Sequence, residues 1–151
     1  MPFDVMHANQ ILDYMFSKTN TSINAYSQVY MGLSRNDPEA DAGIFNELDA
    51  TTCDNYERVL ISIKNETYPD FMGKANNRTI KNVKQINFNR NRSETDAWDT
   101  IKGFGLFSAK TGGTPFYYAK VDREGGVEVP PNAVALFDPN TLVISFSSTD
   151  A

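Results

Sequence analysis

Three carboxylates, Glu94, Asp96 and Asp99, stand around the single tryptophan, Trp98. Paired carboxylates beside an aromatic platform suit glycoside hydrolysis, which needs one acid for the leaving oxygen, a second carboxylate opposite, and a face for the sugar ring. The spacing alone does not set the carboxylate separation. With Ser93, the same acids read as an ordinary turn ahead of a strand, and Trp98 reads as a core residue. His7 has no second ligand four positions on and reads as an exposed or capping imidazole. One histidine cannot support a credible Ser-His-Asp arrangement, and no Gly-rich phosphate loop precedes a helix. Asp37, Glu39, Asp41 and Gly43 alternate like the ligands of a calcium loop. However, the glycine falls one position late, Pro38 is inserted, and Leu48 holds the twelfth position, where a bidentate Glu is needed. The expectation is a chain with no catalytic residue, no metal and no cofactor.

The elements that would position these groups come from length and pattern. A chain of 151 residues is most simply one domain, residues 1–151, burying roughly 70% of the surface its unfolded form exposes. The single Cys53 excludes an internal disulfide and a Cys-rich zinc site. Met1–Ser17 does not read as a secretory leader, so synthesis in a reducing cytoplasm is expected, and no apolar run reaches the length of a bilayer span. With 14 Lys and Arg against 19 Asp and Glu, a net charge of -5 disfavours nucleic acid as a partner. The charge is also segregated. Asp37, Glu39, Asp41, Glu47, Asp49, Asp54 and Glu57 follow one another without a Lys or Arg between them. Lys74, Arg78, Lys81, Lys84, Arg90 and Arg92 follow without an acid. Two solvated loops within one monomer would produce this pattern, and so would head-to-tail complementarity between copies.

Asp4 as N-cap, with Val5, Ala8, Leu12, Met15 and Phe16 at helical spacing, predicts one short amphipathic helix within residues 1–18. Strands are predicted over Tyr26–Ser34, Tyr56–Ile63, Gln85–Arg90, Ile101–Ala109, Pro115–Val121, Val127–Val129, Ala133–Phe137 and the alternating stretch from Leu142, with Lys64–Asn82 left as a long irregular connection. Thr111-Gly112-Gly113-Thr114 supplies positive φ for a hairpin turn. Gly103 and Gly105 share one strand face and invite a bulky neighbour, such as Trp98 or another chain's backbone. About seven short strands joined by Gly, Pro, Asn and Asp turns predict a mainly β fold: an antiparallel β-sandwich over residues 25–151, jelly-roll or Ig-like, preceded by the helix.

The order of these signals carries more than any one of them. Val29–Ser34, an acidic Gly-containing loop, Tyr56-Glu57-Arg58-Val59, Trp98-Asp99-Thr100-Ile101, Gly105-Leu106-Phe107 and Thr111-Gly112-Gly113 together resemble a family of small phage proteins usually labelled tail fibre proteins. The places of that pattern are filled here by Glu47, Tyr56, Arg58, Trp98, Thr100, Gly105, Phe107, Gly112, Gly113, Tyr117 and Tyr118. Met31, Asp99 and Ser108 depart from it, and residues 64–82 have no counterpart. The resemblance covers most of the chain from Val29 onward.

It implies a non-enzymatic virion component, most simply a tail fibre, baseplate or other tail-associated protein that oligomerises or docks on other virion proteins. A capsid-surface (decoration or head-fibre) subunit and a host-receptor or carbohydrate-binding module are the alternatives. Trp98, Gly103, Gly105, Gly112, Gly113 and Arg58 are the expected fold- or assembly-defining residues. Trp98, Tyr117 and Tyr118 are the candidate receptor contacts. Asp37, Glu39 and Asp41 against Lys74, Arg78, Lys81 and Lys84 form the candidate electrostatic interface. The expected partners are other copies, other virion proteins and a host surface glycan, with no nucleic acid and no membrane, and the expected location is the virion.

Overall fold

A computed structural model describes Leu12, residues 27–63 and residues 71–145. The helix predicted within residues 1–18 lies outside these apart from Leu12, which is buried. The described chain is mainly β, with strands β1 Gln28–Ser34, β2 Val59–Ile63, β3 Thr79–Lys81, β4 Ile86–Asn87, β5 Gly103–Phe107, β6 Tyr117–Lys120, β7 Leu136–Phe137 and β8 Val143–Ser145. They form a four-stranded sheet in the order β2-β1-β5-β6 and two pairs, β3-β8 and β4-β7. Among the described residues no helix is long and apolar enough to cross a membrane.

Two compact units divide the chain. One comprises residues 1–29, 61–86 and 137–151, and the other residues 30–60 and 87–136. In the first unit, β3 and β8 are antiparallel with Ile80 opposite Ile144. Both side chains are buried, as are Ile61, Met72, Ile86 and Leu142. The alternation at the end of the chain works as its pattern predicts, since Leu142 and Ile144 turn inward and Val143 stays 46% exposed.

β3 itself falls inside the stretch read from sequence as irregular connection. Its residues are too few, and Ile80 too isolated among polar neighbours, to show a period of two. What makes the strand is a tight turn at Asn77 and Arg78, with φ of 50° and 62°. Asn76 and Thr79 exchange backbone hydrogen bonds of 2.8 and 3.0 Å across this turn, as a primed hairpin turn requires.

In the second unit, β5 is antiparallel to both β1 and β6. Met31, Leu33, Phe104 and Leu106 lie on one face of the β1–β5 pair, all buried, each contributing about 1.5–3 kcal/mol by its removal from water. The other face carries Gly32 opposite Gly105 and Ser34 opposite Gly103, which leaves a trough where side chains would stand. The acidic loop of the same unit fills it.

A Cβ on Gly105 would lie 2.9 Å from the Phe45 ring, and one on Gly103 would overlap Pro38 and sit 2.9 Å from the Asn36 carbonyl oxygen. A Cβ on Gly32 would lie 2.7 Å from the Glu47 carboxylate. The bulky neighbours of the glycines are therefore Pro38 and Phe45, not Trp98. The tryptophan is instead 3% exposed, donates its indole N–H to the Asp54 carbonyl at 2.8 Å, and meets Tyr56 edge-on at 5.7 Å.

Gly105→Val is expected to lower the unfolding free energy by about 1–3 kcal/mol through overpacking against Phe45 and Pro115. Urea denaturation followed by Trp98 fluorescence measures this, and an unchanged midpoint would mean that the loop does not rest on the trough.

Candidate structural site

The site that holds the second unit together is built on Arg58, just ahead of β2 and 6% exposed. Its Nε and Nη2 donate to Glu47 Oε2 and Oε1, each at 2.8 Å, in a bidentate pair. Nη1 donates to the carbonyls of Ala109 at 2.8 Å and Gly112 at 2.9 Å. The guanidinium also lies over the Phe107 ring, 3.4 Å from its centre, a cation–π contact worth about 0.5–2 kcal/mol. Tyr56 completes the site by donating its hydroxyl to Glu47 Oε2 at 2.8 Å while accepting the Leu33 N–H at 2.9 Å. Burial, and then the Glu47 carboxylate, push the phenol well above its ordinary pKa, so it remains a hydroxyl donor.

This arrangement explains the turn between β5 and β6. Gly112 and Gly113 both take φ of 72°, in the left-handed region that glycine enters freely. The strands nonetheless stop at Phe107 and restart at Tyr117, short of the Ala109 and Pro115 limits read from sequence. Arg58 takes the Ala109 and Gly112 carbonyls, and Pro115 has no N–H to donate to a ladder, so residues 108–116 form a wider loop than a two-residue turn.

A second arginine secures the acidic segment from outside. Arg35 Nε donates to Asp99 at 2.6 Å, and Nη2 donates to Asp49 at 3.1 Å and to the Thr52 hydroxyl at 2.8 Å. Nη1 reaches the Glu47 carbonyl. Asp49 also accepts from the Thr51 hydroxyl and backbone. The Thr51 bond first, and the Arg35 bond second, hold its pKa down at about 2. Asp99 is likewise held below the ordinary carboxylate range, chiefly by Arg35, and Arg35 is raised chiefly by Asp99.

Of the three carboxylates that could have served hydrolysis, one has a partner in the frame. Asp99 belongs to Arg35, while the Ser93 hydroxyl accepts the Thr95 and Asp96 N–H groups at 3.3 and 2.9 Å in an ordinary turn. Trp98, offered as a receptor contact, presents no stacking face because its ring is enclosed by the unit's own core. Tyr117 is half-buried and Tyr118 exposed. Among the described residues no three His, Cys, Asp or Glu side chains gather as metal ligands.

Two functional positions escaped the sequence reading. Asn91, fully buried, donates to the carbonyls of Asp96, Val129 and Pro130. Asn82, also fully buried, joins Lys84, Asp138 and Leu142 in the first unit. Asparagines in apparent loops carry no period, so only their burial distinguishes them.

The arginines and asparagines of this antiparallel β frame lock its own loops. The family model described as Podophage GP4 fiber I protein gp80 matches residues 3–145, and the chain belongs to that family. It is thus a phage fibre protein, a structural component of the virion, as the resemblance implied. The comparison with curated proteins gives no match.

Glu47→Ala is expected to cost about 3–5 kcal/mol in urea unfolding, because it strands the Arg58 charge inside the unit and removes the acceptor of Tyr56. Stability is also expected to fall with acid. The unfolded chain takes up protons on Asp49 and Asp99 near their ordinary values, about pH 4, whereas the folded Asp49 does so only at about pH 2. The loss should therefore run through that interval. Arg35→Gln should flatten the melting temperature's dependence on pH between about 5 and 2, and an unchanged slope would remove Arg35 as the cause.

Proposed function

We propose that the chain is a non-enzymatic structural subunit of the phage tail, a fibre or baseplate-associated β-sandwich that assembles with its own copies or docks on other virion proteins. Family membership over residues 3–145 supports a place in the particle. The observation that carries docking is the exposed large aliphatic side chains: Ile44 is 68% exposed, Val83 52%, Leu136 46% and Val143 46%. Such groups suit contact with a neighbouring protein where they form a patch, as Ile44 does beside Phe45, Phe107 and Pro115. The candidate chemistry supports the same reading, since Asp99 is held by Arg35 of the frame.

The sugar-binding reading loses its main platform with Trp98 enclosed, and Tyr118 alone does not replace it. Immunogold electron microscopy of intact particles tests the proposal. Label on the tail is the expected result. Label on the head would overturn the tail assignment in favour of a capsid-surface subunit, and particles free of the protein would overturn the virion role altogether.

A further inference from the structure

Within the acidic segment the carboxylates fall into two groups. Glu47, Asp49 and Asp54 face Arg58, Arg35 and Arg92, and Glu57 faces Lys110. Asp37, Glu39 and Asp41 form no ion pair among the described residues and accept only neutral N–H groups. Asp37 caps the Glu39 and Ala40 amides, Glu39 takes the Lys120 backbone N–H at 2.9 Å, and Asp41 takes the Asn36 side-chain amide at 2.8 Å.

Asp41 borders an apolar patch and Glu39 bonds β6 two residues from it, while Asp37 lines a separate recess with Lys102, Lys120 and Arg123. The same Asn36 amide holds the Ile44 carbonyl at 2.7 Å, which sets Asp41 beside Ile44. The Tyr118 hydroxyl lies against Gly43, where a Cβ would be 2.9 Å away. A recess of about 280 Å³ opens next to it among Ile44, Phe45, Phe107 and Pro115. Tyr118 belongs to β6, the edge strand of the four-stranded sheet.

In the other unit a local run of exposed lysines, Lys74, Lys81 and Lys84, borders similar side chains. Lys81 stands directly across β3–β8 from the exposed Val143. Val83, two residues further along, rests against Gly73 next to Lys74, and Lys84 follows it. Lys74, Lys81 and Lys84 are exposed and form no ion pair among the described residues.

We propose that these two surfaces are the halves of one heterologous interface between copies of this chain, in which Glu39, Asp41 and Ile44 of one copy meet Lys81, Lys84 and Val143 of the next. Each half is an aliphatic centre with a charged rim, and the rims have opposite signs. Such an interface draws its contact area from the apolar groups and its register from the charges. Because the two halves are different patches of the chain, each contact pairs unlike surfaces. This inference rests on the reading of the chain as an assembling virion subunit, and it names the surface used.

Charge reversal on the full-length chain, read by analytical ultracentrifugation at about 0.15 M salt, tests it. The wild type is expected to self-associate, more weakly as salt rises. Glu39→Lys with Asp41→Lys, and separately Lys81→Glu with Lys84→Glu, should each weaken association at least tenfold. An equimolar mixture of the two variants should restore it, since each patch then finds its opposite. Because the acidic-loop substitutions disturb caps on the fold, Ile44→Ser and Val143→Ser provide a second pair, each expected to weaken association without shifting the melting temperature.

A wild type that is monomeric throughout would overturn the interface. So would association indifferent to both reversals, or a mixture that fails to recover. A monomer that still incorporates into particles would leave the virion role standing and refute only contact between copies through these surfaces.

Discussion

A guanidinium held inside a small β unit constrains everything near it. Arg58 cannot lose its charge, so its burial is tolerable only where its donors find acceptors and its face finds a suitable ring. The Glu47 carboxylate, the Ala109 and Gly112 carbonyls and the Phe107 ring meet those needs. They belong to three other segments, from 11 to 54 residues away, and meeting the need fixes each segment. The acidic loop is pinned at Glu47, and the β5–β6 connection is propped open by its two carbonyls. Through Tyr56 the site reaches the Leu33 amide of β1. Gly32 makes the arrangement possible, because a side chain there would occupy the space of the Glu47 carboxylate and the Phe107 ring.

The same logic of polar locks covering a thin β frame recurs throughout the molecule. Most of the strands are only two to five residues long, so much of the core is covered by loops, and loops carry backbone groups that need partners once buried. Asn82 and Asn91 answer this in their own units, each bonding several backbone groups from inside. Arg35 does so at the surface for the segment around Asp49 and Asp99. Every buried side-chain polar atom among the described residues has a partner. Asp99, part of a cluster that resembles a reactive one in sequence, holds the acidic segment through Arg35 in this fold.

Some charge is left over from this internal pairing. The acidic segment divides into carboxylates that form an ion pair within their own unit and three that do not, of which Asp41 lies beside Ile44. The first unit keeps its lysines beside Val83 and Val143. Segregation of charge along the chain therefore has two outcomes. Part of it closes the second unit, and part stays on the surface.

The sequence by itself determined the local events. Alternation marked Ile86, Phe88, Leu142 and Ile144 as inward, Gly-Gly at 112–113 marked positive φ, and the ordered motifs around Arg58, Trp98 and Gly105 marked the family, because each depends on residues a few positions apart. β3 was not legible, since three residues cannot display a period and the strand exists through its pairing with β8, some sixty positions later in the chain. The occupant of the glycine trough was not legible either. A missing side chain specifies that something lies close, but only the register of β1 on β5 and the path of the acidic loop decide that Pro38, Phe45 and Glu47 fill it. Arg58 shows the division most plainly. Its place in the motif was readable from sequence, whereas its role depends on four acceptors and a ring brought together from distant positions, and only tertiary packing brings them there.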